Sequence, residues 1–109
     1  MMLGVILGAF GAHALKSRLS PEALDIYKTA VFYQFVHAIG IFVVAFASAG
    51  ASGSGRVLTF AGIAFTIGIV VFSGSLYLLA FTGTRWLGAI TPLGGLAFIL
   101  GWSFLLFSK

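Results

Sequence analysis

The sequence predicts an all-α integral membrane protein, a single domain of four transmembrane helices packed as a bundle. Three observations predict it. Of 109 residues, 61% are hydrophobic and 7% are charged, a balance far from that of soluble domains. Lys16, Arg18, Glu22, Asp25, Lys28, Arg56, Arg85 and Lys109 divide the chain into four apolar blocks, at about the length scale of roughly 20 residues that a spanning helix requires. Within the blocks Gly, Ser and Thr recur at helical spacing, as in helices that associate inside lipid.

The first helix is predicted over residues 1–15. At 1.5 Å per residue it would be roughly 22 Å long, short of a hydrocarbon core of roughly 30 Å. It therefore either crosses a thinned or water-accessible region or lacks residues at its start. Ala12-His13-Ala14 has the small-x-small form of a signal-peptidase site, but no Lys or Arg precedes the apolar run, so the segment is read as a retained helix.

The second helix is predicted over 21–48. Ser20 is its N-cap, Pro21 occupies the first helical position, and Glu22 and Asp25 lie near the positive end of the dipole. One face carries Phe32, Phe35, Ile39, Phe42 and Phe46, and a stripe turned away from it carries Tyr33, His37, Gly40 and Val44. Bulky apolar residues face lipid and small or polar ones face helices, so Tyr33 and His37 should point inward. Residues 49–56 form a flexible Gly/Ser loop.

The third helix is predicted over 57–81, with a contact stripe of Thr59, Gly62, Thr66, Ser73, Tyr77 and Ala80. The fourth is predicted over 88–108, with contacts at Thr91, Gly94, Phe98, Gly101 and Ser108. Thr91-Pro92 repeats the Ser20-Pro21 pattern, which suggests a start of the helix proper at Pro92 with Trp86 to Ile90 along the interface; a start at Trp86 instead would put Pro92 in the second turn and free a carbonyl that Thr91 or a neighbouring helix must satisfy. On the first helix the contact surface is Gly4, Gly8 and Gly11 or Ala12, and His13 projects from the opposite side.

Loop 1, between the first two helices, and loop 3, between the last two, share one side of the membrane. Their Lys16, Arg18, Lys28 and Arg85 place that side in the cytoplasm. The net charge of +4 is dispersed, so it reads as a topology signal and not as a nucleic-acid footprint. The chain has no cysteine, which excludes disulfides and thiolate sites.

His13, Lys16, Glu22, Asp25, Tyr77, Arg85 and Thr91 all fall toward the loop 1 and 3 end. With Tyr33 and His37 they are the candidate binding residues, and the helix N-termini at Pro21 and Pro92 are available to an anion such as a lipid phosphate. No catalytic residue is assigned, because no nucleophile and base stand at motif spacing. No metal site or cofactor is expected either. Paired histidine ligation of haem by His13 and His37 is disfavoured, since measured from Lys16 and Lys28 the two rings differ in depth by roughly 9 Å. A small proton-coupled exporter would need a carboxylate buried mid-span, whereas Glu22 and Asp25 sit in the first turns of a capped helix.

Four phrases in order, GAFGAHALK (8–16), the segment around Tyr33-Gln34-Phe35-Val36-His37-Ala38, FSGSLYLLAFTG (72–83) and LGAITPLGGLAFILGW (87–102), resemble the YgdD/YwdK-like small four-helix membrane proteins. This is domain-of-unknown-function family 423, which has a human transmembrane relative. The resemblance covers nearly the whole chain and implies a multi-pass protein of the bacterial inner (plasma) membrane, or of an organelle membrane in eukaryotes. It carries over no activity, cofactor or site residue. Family members resemble one another in another turn or two of apolar sequence before GAFGAHALK, and this chain departs from them there.

The sequence thus reads as a small non-enzymatic membrane subunit, a bundle that binds lipid or protein through the face of loops 1 and 3. Its expected partners are membrane lipid, another membrane protein or a second copy of the chain, and no nucleic acid. The alternative is an oligomeric permease or proton-linked carrier using an internal site of His37 and Tyr33.

Overall fold

The computed structural model describes residues 1–50 and 55–108, and these form α1 (Met2–Phe10), α2 (Pro21–Gly50), α3 (Gly55–Gly68), α4 (Gly74–Thr82) and α5 (Leu87–Leu106). A π turn at Gly11–Leu15 extends α1, and a second at Ile69–Ser73 joins α3 to α4. The two unions, Met2–Leu15 and Gly55–Thr82, with α2 and α5 make the four helices that the apolar blocks predict. Three of the four are long and apolar enough to cross a membrane; Met2–Leu15 is shorter. The protein is an all-α membrane protein with the four-helix arrangement expected.

The bundle is flattened, with extents of 51 × 27 × 14 Å. The α3–α4 rod stands between α2 and α5, and α1 lies against α2. Ser20 starts α2 as expected, its hydroxyl accepting the Ala23 N–H at 3.1 Å. Gly83, at φ 69°, ends α4 in the left-handed conformation, and its N–H returns to the Leu79 carbonyl at 2.8 Å. Only glycine takes that turn without a Cβ penalty.

Aromatic rings fill the spaces that glycines leave. Phe65, fully buried, lies against Gly40 of α2 and Gly101 of α5, where an added Cβ would meet its ring at 3.0 and 2.6 Å. Phe98 seats on Gly68 and Tyr27 on Gly11 in the same way. Among the described glycines only Gly94 faces main chain: a Cβ there would meet the Phe72 backbone, with Cα at 2.7 Å. The second π turn thus brings its own backbone against α5.

That turn also corrects the expected face of the third helix. The buried residues run Leu58, Ala61, Phe65, Gly68 and then Ser73, Leu76, Ala80, so the step across the π turn is five residues instead of three or four. The single unbroken stripe of Thr59, Gly62, Thr66, Ser73, Tyr77 and Ala80 holds after the turn and is one residue off before it. Thr59 and Thr66 are exposed, and their hydroxyls close on their own helix, on the Gly55 and Gly62 carbonyls at 2.7 and 2.9 Å. One extra residue rotates everything upstream by about 100°.

Two further expectations change. Pro92 does not open the last helix. It lies inside α5, whose first residue is Leu87, so no helix N-terminus at Pro92 is available to an anion. The expected flexible loop of 49–56 is narrower, because α2 continues through Gly50 and α3 begins at Gly55; the rest of that expectation, residues 51–54, lies outside the described residues.

Candidate functional site

At the loop 1 and 3 end, Lys16, Arg18, Glu22, Asp25, Lys28 and Arg85 are all exposed. Glu22 and Arg85 are brought together there. They line one concavity of about 240 Å³ with Ser20, Ala23, Ile26, Leu79, Ala80 and Gly83, which the cap of α2 and the left-handed turn after α4 position. His13 is exposed on the first π turn while Gly11 takes the Tyr27 ring, so the histidine and the glycines of GAFGAHALK do meet different neighbours.

Tyr77 and Thr91 are spent inside the bundle. The Tyr77 hydroxyl donates to Gln34 Oε1 at 2.6 Å, tying α4 to α2. The Thr91 and Ser75 hydroxyls lie 2.7 Å apart across α5 and α4, with the Leu87 and Phe72 carbonyls as further acceptors at 3.2 and 3.0 Å. Two more bonds cross between helices: Tyr27 hydroxyl to the Leu7 carbonyl at 2.6 Å and Ser73 hydroxyl to the Ala30 carbonyl at 2.8 Å. In lipid such groups have no water to fall back on. Among the described residues no buried side-chain N or O lacks a partner.

Gln34, Tyr27 and Ser73 are thus structural polar groups. Gln34 escaped the sequence reading, although Tyr27, Ala30, Gln34, His37, Gly40 and Val44 form the buried stripe of α2 at spacings of three, four, three, three and four. Centring the stripe on His37 and reading it back toward Tyr27 would have found it.

Tyr33 and His37 share a second region. His37 is buried, at 4% exposure, with its ring 3.4 Å from that of Phe98 and nearly parallel to it, at 8°. Its Nδ1 lies 2.8 Å from the Tyr33 carbonyl; a carbonyl only accepts, so Nδ1 carries the hydrogen. Tyr33 does not point fully inward as expected. It is 36% exposed, since it stands one residue off the buried stripe, and its ring lies 4.4 Å from that of Phe72. Both residues line a groove of about 530 Å³ with Phe72, Pro92, Gly95, Leu96, Phe98, Ile99 and Trp102.

A third concavity, of about 410 Å³, runs beside the contact of α1 and its π turn with α2. Gly8, Gly11 and Ala12 form one wall, Tyr27, Val31, Phe32 and Phe35 the other, and Lys28 completes the lining. The sequence-predicted residues therefore form no single site. Glu22 shares one concavity with Arg85 and Tyr33 another with His37, while Tyr77 and Thr91 hold the bundle together and His13 stands apart.

Residues 7–95 match the family model described as "Protein of unknown function (DUF423)". The chain is 52% identical over 101 residues to the UPF0382 membrane protein YwdK of Bacillus subtilis, covering 93% of this chain and 81% of that one. It is 45% identical over 107 residues to the UPF0382 membrane protein SH2409 of Staphylococcus haemolyticus, covering 98% and 85%. A UPF0382 membrane protein of Haemophilus influenzae is 40% identical over 98 residues, covering 90% and 77%. No solved structure matches the chain. With most of its length matched by the family model and by relatives that are membrane proteins, the chain belongs to the DUF423 family.

Proposed function

We propose that the protein is a non-enzymatic subunit of the bacterial inner (plasma) membrane, multi-pass, that holds an anionic phospholipid at the end where loops 1 and 3 meet. The observation that carries this reading is the cleft between α1 and α2. Its lining is apolar except for Lys28 and the Tyr27 hydroxyl, and that hydroxyl is already given to the Leu7 carbonyl. Gly8 and Gly11 present no side chain on their wall, opposite Val31 and Tyr27, and Phe32 and Phe35 extend the apolar lining; such a slot suits an acyl chain. Leu15 and Tyr27 pack in one cluster, which sets Lys16 and Lys28, the next residues along, at one level near the interface. A lipid phosphate belongs there, and a cation near the membrane surface contributes about 1 kcal/mol toward anionic lipid.

The carrier reading has less to support it, because it needs a hydrated path to His37, whose ring is packed among Phe65, Phe98 and Trp102. An enzymatic role has no support in the core, where Tyr27, Ser73 and Tyr77 direct their hydroxyls to acceptors within the fold.

Native mass spectrometry from nanodiscs of equal phosphatidylglycerol and phosphatidylcholine tests the proposal. Wild type should leave the disc carrying phosphatidylglycerol, and Lys28→Gln should lower that preference about fivefold. Gly8→Leu should carry neither lipid, since its side chain fills the slot; a Cβ at Gly8 meets Val31 at an ordinary 3.5 Å, so the fold accepts the start of that side chain. Wild type with no bound lipid, or with both lipids in equal amount, would sink the reading.

A further inference from the structure

The groove beside His37 is separate from the lipid cleft and asks for a different ligand. With Nδ1–H committed to the Tyr33 carbonyl, the neutral ring presents Nε2 as a lone-pair acceptor. Nε2 takes no hydrogen bond from the protein, yet no buried nitrogen or oxygen among the described residues is without a partner. Nε2 therefore reaches the surface of the groove that His37 lines. His37 lies nine residues beyond Lys28, roughly 14 Å deeper along α2, where hydrocarbon offers no donor and an unpaired acceptor is costly.

The walls narrow the choice of occupant. None of the nine lining residues is charged, which disfavours an ionic ligand, and the depth keeps out a phospholipid headgroup. Tyr33, His37 and Phe98 have nearly parallel rings, with Tyr33 13° from His37 and 21° from Phe98. Phe72 and Trp102 complete an aromatic surface, against which a flat ring stacks well. Leu96 and Ile99, on the rim, are exposed to the bilayer, so entry is from lipid. The volume of about 530 Å³ lies within the range of small-molecule sites.

We infer that this groove binds an uncharged, membrane-dissolved aromatic alcohol, a phenol or hydroquinone, whose ring stacks on the aromatic wall while its hydroxyl donates to His37 Nε2. Tyr33, 36% exposed and also lining the groove, brings a second polar group for a ring that carries two oxygens.

The test uses the full chain in phospholipid nanodiscs with 1-naphthol as probe and 1-methoxynaphthalene as an isostere without the donor. Histidine nitrogen-15 NMR should show the His37 Nε2 resonance moving with naphthol and holding with the ether, while His13 stays unchanged as internal reference. Equilibrium dialysis should show saturable naphthol binding and an ether about tenfold weaker. Gly95→Leu should abolish binding by filling the groove; an added Cβ there meets Phe72 at an ordinary 3.8 Å, and an unchanged melting temperature confirms that the variant folds. His37→Phe should bind both probes equally and weakly. Identical behaviour of the two probes on wild type overturns the inference. So does an unmoved Nε2 resonance, the result expected if a second copy of the chain or a partner helix covers the groove.

Discussion

Replacing Gly94 by alanine places a methyl group where the main chain of Phe72 already stands. The added Cβ would sit 2.7 Å from both Phe72 Cα and Phe72 Cβ, against the roughly 3.5–4.0 Å at which carbon atoms pack. Neither atom swings away on a rotamer, so α5 must move off the second π turn by about 1 Å. The same movement stretches the hydroxyl pair of Ser75 and Thr91, now 2.7 Å, toward the limit of a hydrogen bond. Overpacking of this kind costs about 1–3 kcal/mol, and a hydrogen bond between helices in lipid adds roughly 0.6 kcal/mol. A loss of about 2–3 kcal/mol is expected for Gly94→Ala. The control is Gly62→Ala, where the new Cβ meets Val44 at an ordinary 3.6 Å and the change should stay within about 0.5 kcal/mol. Reversible unfolding in bicelles, followed by circular dichroism, measures both. If Gly94→Ala unfolds together with Gly62→Ala and wild type, the close approach of α5 to the π turn is not what holds these helices in register.

Tyr77→Phe strands the Gln34 amide inside the bundle and should cost about 1–2 kcal/mol, whereas adding Gln34→Leu should recover part of that loss; strictly additive losses in the double-mutant cycle would show that the two side chains do not interact. Gly83→Ala forces a Cβ into the left-handed conformation at φ 69° and should cost about 1–2 kcal/mol in the same unfolding assay, while Gly74→Ala, where a Cβ meets nothing within 4 Å, should be near neutral; equal effects would mean that the turn relaxes without penalty. With the lipid preference lowered in Lys28→Gln and the naphthol binding lost in Gly95→Leu, these variants separate what the bundle needs to stand from what it uses to bind.

The relation of sequence to site differs from residue to residue for physical reasons. The Ser20-Pro21 start of α2 was legible because its rules are local: one hydroxyl reaches an N–H three residues on. Thr91-Pro92 has the same local form and was misread, since α5 begins five residues earlier, at Leu87. Tertiary packing against α3 and α4 outweighs the loss of one proline N–H. His37 was placed correctly by periodicity, being on the buried stripe, and Tyr33 was not, being one residue from it. For Gln34 the pattern was present but its partner was not, because Tyr77 lies 43 residues away.

By itself the sequence determined the membrane class, the four helices and most of their faces. Those follow from hydrophobic length and a period of 3.6, which are properties of the chain in its solvent. Only the tertiary structure decided where that period breaks: the π turn at Ile69–Ser73 inserts one residue, and the contact face of α3 shifts with it. Only the tertiary structure could also show that Tyr77 and Thr91 bond within the core, that His37 keeps one nitrogen for a groove, and that Lys28 lines an apolar cleft. Each of these depends on which helix stands opposite. A one-dimensional pattern says which side of a helix seeks contact, but the neighbour that meets it is fixed by packing among segments far apart in the chain.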